Sequence, residues 1–378
     1  MRKCNKCGKS SDNFQKGRGT CRDCRNTQGK GWRRARKDVK AHNYGKETLP
    51  DGYKLKGVSQ MLDAEGNVKV QWVKSESDKA AQSALLMQAL ENMARGFEGV
   101  VPRLKVSKRQ KAKDLLTIIP LGDPHIGMHS WGKETGQDFD LEIAAHNMHT
   151  ASADLLANAP DTENCLIINA GDYFHADSSA NTTTKGTPVD MDGRRIKVVQ
   201  VGLEIFVDLI QRCLAKYKHV TVICATGNHD ADSSKMLSLM LSLMFNKEPR
   251  VLINVEPTKH HKFRFGKCLF GITHGDTGKA AELPILMATD WKTDWAETDY
   301  RYWYTGHVHH KTVTEYTGGV IVETLRTLAP SDSWHRGQGY RSGQDLILDV
   351  WDAEYGHIQR NTVGIKRVHE LQRKGEMI

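Results

Sequence analysis

Three apolar runs in this chain end in the same kind of turn. Residues 115–121 lead into Gly-Asp-Pro-His at 122–125, residues 165–170 into Gly-Asp-Tyr-Phe-His at 171–175, and residues 220–225 into Gly-Asn-His-Asp at 227–230. A strand that is apolar along its whole length is buried on both faces, the setting of a parallel sheet covered on each side. Segments of helical character at 141–158, 196–217 and 233–245 follow the three runs in turn. Strand followed by helix, repeated, predicts an α/β layered domain whose functional side chains collect beyond the carboxyl ends of its strands. From residue 251 to 364 the sequence turns strand-rich, and its runs end at Thr-His-Gly-Asp, 273–276, and Gly-His-Val-His, 306–309.

These five turns carry aspartate, asparagine and histidine. A lone histidine is usually an ordinary core or surface residue. A whole set of Asp, His and Asn arriving on strand-end turns suits metal ions handling a phosphate. Two ions roughly 3.5–4 Å apart lower the pKa of a water and neutralise charge on the attacking and leaving oxygens. Such a pair needs one carboxylate between the ions, and an amide completes the second set without adding charge.

With 378 residues, 39% of them hydrophobic, the chain can bury a core large enough for one main domain and something smaller. No window approaches the run of about 20 apolar residues of a transmembrane helix. The N-terminus opens Met1-Arg2-Lys3-Cys4 with no apolar stretch behind it, so a cytoplasmic protein without a secretory signal is expected. The formal net charge is +9, and residues 1–45 hold 14 Lys/Arg against 3 Asp/Glu, so that segment is +11 and the remainder about −2. Concentrated cationic charge is the footprint of a nucleic-acid contact; the plainer alternative is a solvated basic tail.

Four of the eight cysteines sharpen that segment. Cys4, Cys7, Cys21 and Cys24 stand as CxxC, thirteen residues, CxxC, while Cys165, Cys213, Cys224 and Cys268 lie among apolar neighbours. Two such knuckles supply the tetrahedral thiolate set of one structural Zn²⁺, and disulfides are disfavoured in a reducing compartment. The run that follows, residues 25–40, is rich in Lys and Arg around Trp32, which either stacks on a base or packs on the knuckle. Residues 46–114 read as a connector: strands at 53–62 and 68–74 form a hairpin, and Ser77 with Asp78 caps a helix running to Ala94. A Lys/Arg-rich linker spans 103–113. The organisation expected is a zinc ribbon with basic tail at 1–45, the connector at 46–114, the α/β domain at 115–365 and a tail at 366–378.

Around the five turns, three stretches have open roles. Residues 177–195, with Lys185, Arg194 and Arg195, either flank a nucleic-acid strand or form a solvent loop. Trp334, His335 and Arg336 in the Gly-rich stretch 331–340 either contact a base or phosphate or pack at the surface. The aromatic cluster Trp291, Trp295, Tyr300, Tyr302, Trp303 and Tyr304 is expected to pack against the sheet beneath His307.

Taken together, the blocks resemble those of the calcineurin-like metallophosphoesterase superfamily over residues 115–365. The resemblance implies a layered metallophosphoesterase β-sandwich flanked by helices, and a hydrolase using two divalent ions, Mn²⁺ first, with Fe or Zn as alternatives. It implies that Asp123, His125, Asp172 and His309 hold one ion, and that Asp172, Asn228, His274 and His307 hold the other. His229 would be left free of metal to contact the scissile phosphate and protonate the leaving oxygen, with Asp230 orienting it or capping the next helix. The second block is similar to that of SbcD-like DNA repair nucleases, in which a histidine three residues after the bridging aspartate lies near the substrate phosphate. His175 inherits that role, or donates a hydrogen bond from behind the ligands.

The cysteine module is similar to zinc ribbons at the start of several phage-encoded nucleases, which would put the protein in a host cytoplasm. Beyond the last expected strand, the chain as given leaves no room before Ile378 for the capping domain or ATPase-docking segment of the SbcD-like enzymes. The function expected is a dinuclear phosphodiesterase acting on DNA or RNA. Its alternatives are a phosphatase or cyclic-nucleotide phosphodiesterase on small molecules, and a non-catalytic nucleic-acid-binding regulator. A basic N-terminus argues against the first, and ligands intact in every block argue against the second.

Overall fold

The computed structural model describes residues 112–339 and 341–375 without a break. Before them it describes residues 2–3, 5, 7, 10–11, 49, 53–63, 68–78, 80–81, 84–85 and 88. Cys4, Cys21, Cys24, the basic run around Trp32 and the linker up to residue 111 lie outside the described residues, whereas Cys7 is described and exposed. The chain divides into two compact units, Met1–Ala89 and Leu90–Ile378.

In the first unit, Tyr53–Leu62 pairs antiparallel with Val68–Ser77, with Val58 opposite Val73 and Ser59 opposite Trp72. The Asp78 carboxylate then accepts hydrogen bonds from the N–H groups of Ala80 (3.1 Å) and Ala81 (3.2 Å), the geometry of a helix cap. The remainder of the helix expected to reach Ala94 lies partly outside the described residues.

The second unit begins with β1 (Ala112–Leu121), α1 (Leu141–Ala157), β2 (Thr162–Asn169), α2 (Arg195–Lys216), β3 (His219–Cys224), α3 (Ala231–Met244) and β4 (Val251–Ile253). It continues with β5 (His261–Phe265), β6 (Cys268–Ile272), α4 (Leu283–Asp290), α5 (Lys292–Glu297), β7 (Tyr300–Thr305), β8 (Thr312–Tyr316) and β9 (Val320–Thr324). Then come β10 (Asp345–Asp352), β11 (Gly356–Gly364) and α6 (Ile365–Lys374). Six strands form one sheet in the order β11-β10-β1-β2-β3-β4, and five form another in the order β8-β9-β7-β6-β5. In the first, β1 to β4 run parallel; in the second, β6, β7 and β9 do.

The two sheets pack face to face. Leu116, Ile118, Leu166, Ile168 and Ile223 of the first meet Phe270, Ile272, Tyr302 and Tyr304 of the second in one core cluster. Ile119, Ile167 and Val222, which alternate with them, are buried too, since α1, α2 and α3 cover the other side. This double burial is why the three runs contain so few polar residues. On the outer face of the second sheet, Leu283 and Met287 of α4 pack on Leu269, Trp303 and Val322. The aromatic cluster is split by strand alternation: Trp303 faces outward to stack on Trp291 at 5.3 Å, while Tyr302 and Tyr304 enter the inner core. Residues expected as a C-terminal tail form α6, because Val368 and Leu371, one turn apart, are both buried.

A charged clamp also ties the sheets together. Arg360 on β11 reaches Asp349 on β10 at 2.6 and 2.7 Å and Glu323 on β9 at 2.7 and 2.6 Å. Tyr304 on β7 donates its hydroxyl to Asp349 at 2.8 Å, so both buried carboxylates are paired and hydrogen-bonded.

Candidate metal centre

The loops that leave β1, β2 and β3 converge with those that leave β6 and β7. Backbone strain is concentrated there. Asp123 (φ 44°), His125 (46°), Asp172 (49°), His307 (76°) and His309 (54°) are five of the six non-glycine residues in the left-handed region among the described residues. Aspartate and histidine tolerate that region better than bulky residues, yet each instance costs on the order of 1–3 kcal/mol and persists only when neighbours enforce it. Enforcement is visible: His125 N–H donates to Asp172 O at 3.1 Å, Ile126 N–H to Tyr173 O at 2.7 Å, and Thr327 Oγ1 to Asp123 O at 2.6 Å.

Two glycines of the blocks are required by close approach. A Cβ on Gly227 would lie 1.9 Å from Asp172 Oδ1, and one on Gly171, itself at φ +96°, would lie 2.7 Å from His274 Nδ1. Both leave room for ligand-bearing side chains.

Three groups of ligand atoms result, each with its members within 4.8 Å of one another: Asp123, His125 and His309; Asp172, His274 and His307; and His125, His175 and His229. In the second group, His274 Nδ1 donates to Ala170 O at 3.0 Å, so the ring proton is held on that nitrogen. Its Nε2 then faces Asp172 Oδ2 at 3.1 Å and Asn228 Oδ1 at 3.0 Å. Two oxygens and a ring nitrogen converge there, an arrangement that a proton on Nε2 or a metal cation in its place satisfies. In the first group, His125 Nε2 and His309 Nε2 stand 2.9 Å apart, and Asp123 lies behind them with both carboxylate oxygens 3.0 Å from the His307 N–H. The two groups adjoin, because His274 Nδ1 is 3.5 Å from Asp123 Oδ1.

Electrostatics give the same reading. Burial pushes the Asp123 carboxyl up to about 7, with His274 opposing and Asp172 reinforcing. Burial would also raise Asp172, but His274 more than reverses it and holds Asp172 down at about 2. His274 is pushed up to about 10: burial alone would lower it, and the pull of Asp172 and then Asp123 overrides that. The buried carboxylates therefore favour positive charge between them, and a divalent ion supplies it more fully than an imidazolium.

His229 N–H donates to Asp172 Oδ1 at 2.8 Å, and its ring Nδ1 donates to His175 O at 2.8 Å, which fixes the ring beside His125 at 4.9 Å between centroids. His175 places Nδ1 3.1 Å from His125 Nδ1, so the two rings share a proton behind the first group. Asp230, fully buried, accepts from Gly227 N–H (3.1 Å), Phe174 N–H (3.0 Å) and Ser234 Oγ (2.7 Å). None of these bonds reaches the His229 ring, nor do they cap α3 through the side chain. The carboxylate instead knits the second and third loops together, and burial raises it to about 6.

The cap of α3 comes from elsewhere. Asp177 accepts from Ser233 N–H at 2.9 Å, Ser233 Oγ at 2.6 Å and Asp232 N–H at 3.1 Å. Sequence reasoning missed both Asp177 and Thr327, whose partners are remote in the chain. The 177–195 stretch is also more ordered than a solvent loop, being closed by Asp177 N–H to Thr182 O at 2.8 Å and Thr183 N–H to Thr187 O at 2.8 Å. Lys185 and Arg194 are exposed, while Arg195 turns inward over the Phe174 ring at 5.0 Å and binds Ser233 Oγ. Asp276, the last residue of its block, pairs with Lys259 at 3.1 Å. Trp334 and His335 lie on the short helix Ser333–Gly337. Among the described residues, no helix is long and apolar enough to cross a membrane.

No family model and no curated protein matches the chain. Similar solved structures include a dimetal phosphatase from Danio rerio, 9% identical with a TM-score of 0.36, the match covering 66% of this chain and 98% of that one. A Vps29 mutant from Entamoeba histolytica is 13% identical at a TM-score of 0.27, covering 66% and 98%. A 5'-nucleotidase precursor from Thermus thermophilus is 13% identical at a TM-score of 0.30, covering 69% of this chain and 58% of that one.

Proposed function

We propose that this chain is a phosphodiesterase working with two divalent ions, and that its substrate is the backbone of DNA or RNA. The observation that carries the reading is the convergence of metal-ligand side chains at His274, Asp172 and Asn228, next to a second convergence at His125 and His309. Asp123, His125 and His309 would hold one ion and Asn228, His274 and His307 the other, with Asp172 shared between them. When bound, such ions neutralise phosphoryl oxygens and make a water more acidic. Mn²⁺ is the first choice, with Fe or Zn as alternatives.

The chain's own groups do the rest. His229, its Nδ1–H tied to His175 O, has its ring beside that of His125, where it would protonate the leaving oxygen. His175 orients His125 through the shared proton. Asp230 keeps the loops bearing His175 and His229 in register. Polymer is favoured over a small substrate by the charge of residues 1–45, +11 against about −2 elsewhere. That segment is proposed to be a Cys4, Cys7, Cys21 and Cys24 zinc ribbon; purified chain without zinc would refute that part.

The test is a substrate panel in Mn²⁺: single strands, duplexes, RNA, mononucleotides, cyclic nucleotides and a small aryl diester. Cleavage of polymer is expected, weakened by raised salt. Turnover confined to mononucleotides or cyclic nucleotides would replace the nuclease reading with the small-molecule one, and no turnover of any phosphoester would overturn both.

A further inference from the structure

We propose that the exposed indole of Trp131 is a stacking platform for an unpaired base of the substrate strand, beside the candidate metal centre; this rests on the phosphodiesterase reading above and narrows its substrate to a single strand of DNA or RNA. Tryptophan is highly buried on average in folded chains. Trp303 and Trp351 of this unit follow that rule, at 0% and 3% exposed, whereas Trp131 is 55% exposed.

The exposure is not that of a loose loop. The main chain of Trp131 is extended, at φ −99° and ψ 121°, and its carbonyl accepts from the N–H groups of Glu134 and Thr135 at 2.9 Å each and from Thr135 Oγ1 at 3.0 Å. Ser130 and Phe139 exchange two N–H···O bonds of 2.9 Å across the base of the loop. Gly132 N–H donates to Asp138 Oδ1 at 2.6 Å, and His129 N–H to Asp190 O at 3.1 Å. The ring enters none of these bonds. A well-fixed loop therefore holds a large flat apolar surface in water, which folding does not reward, since burial would contribute about 25 cal/mol per Å². A ring already held in place loses little freedom when a ligand stacks on it.

Placement gives the ligand its identity. The loop leaves the candidate metal centre at His125 and returns to it: Thr135, Gly136 and Gln137 wall a hollow of about 210 Å³ that also has His309 in its wall. The helix Gly132–Thr135 between them is four residues long, so Trp131 lies one short helix away from that wall. Lys133 places Nζ 5.5 Å from the centroid of the Trp131 ring. An indole with an ammonium at its side suits a nucleotide, whose base offers a π face and whose phosphate offers a charge. Lys133 and Glu134 are both exposed and charged, so the ring is not part of a wider apolar patch of the kind that docks another protein.

The experiment uses the full chain, a fluorescent single-stranded oligonucleotide and the blunt duplex of the same sequence, read by anisotropy without added Mn²⁺ and by hydrolysis with it. Trp131→Ala is expected to weaken single-strand binding ~10-fold, with Trp131→Phe restoring most of it and the duplex losing less. Stacking carries no net charge, so the salt slope of single-strand binding should persist in Trp131→Ala and fall in Lys133→Ala. In hydrolysis, the KM of the oligonucleotide should rise in Trp131→Ala relative to that of a small aryl diester. Unchanged single-strand affinity in Trp131→Ala would overturn the platform. So would equal losses on single strand and blunt duplex, or a phenylalanine variant as weak as the alanine one. The expected binding losses without hydrolysis of any phosphoester by wild type would count against the phosphodiesterase reading and leave the platform standing.

Discussion

Asp172 and His229 are neighbours with separable duties, and substitution tells them apart. Asp172→Asn removes the carboxylate proposed to be shared by the two ions, so the variant is expected to lose stabilisation by Mn²⁺. For wild type that stabilisation is about 2.7 kcal/mol when the ion stands a hundredfold above its Kd. His229→Ala is expected to keep the Mn²⁺-induced rise in melting temperature and to lose roughly 10²- to 10⁴-fold in kcat. Equal losses of the thermal shift in both variants would show that His229 is a ligand. These side chains were legible in the sequence because each sits in a short block whose residue types are improbable by chance at strand ends. Asp177 and Thr327 were not, because nothing local marks them: Asp177 caps a helix that begins 54 residues later, and Thr327 closes on the main chain of Asp123.

At the level of elements, the alternation of apolar runs and helical segments placed β1 to β3 and α1 to α3 within a few residues of where they form. What it left open was how helix ends are satisfied. Asp230 precedes α3 and has the type of a cap, yet its carboxylate is drawn into the gap between two loops, where unpaired N–H groups of Gly227 and Phe174 would otherwise be buried. Asp177→Ala is therefore expected to destabilise the fold by ~1 kcal/mol in urea denaturation, a cap's usual contribution. Asp230→Ala should cost more, since it strands two buried donors. The reverse ranking would contradict the assignment.

The whole second unit depends on two sheets staying in contact, and the Arg360 clamp crosses between them. Arg360→Met leaves Asp349 and Glu323 buried without their cation and is expected to cost about 3–5 kcal/mol. Asp349 is held below the usual carboxylate range: burial opposes this, and Arg360 with His357 more than offsets it. A group lowered in the folded state adds stability that is complete above its unfolded value near pH 4 and disappears as pH falls through the folded value. Urea midpoints measured from pH 6 down to 3 should fall in wild type and lose part of that slope in Asp349→Asn. The clamp was not readable beforehand, because it joins Glu323, Asp349 and Arg360, which lie far apart in the chain. The central claim, a site shaped for two ions that share Asp172, is tested most directly by equilibrium dialysis of the full chain against Mn²⁺. The account predicts two Mn²⁺ per chain, and fewer than two, bound more weakly, in Asp172→Asn. One ion per wild-type chain, or two with undiminished affinity in the variant, would contradict it.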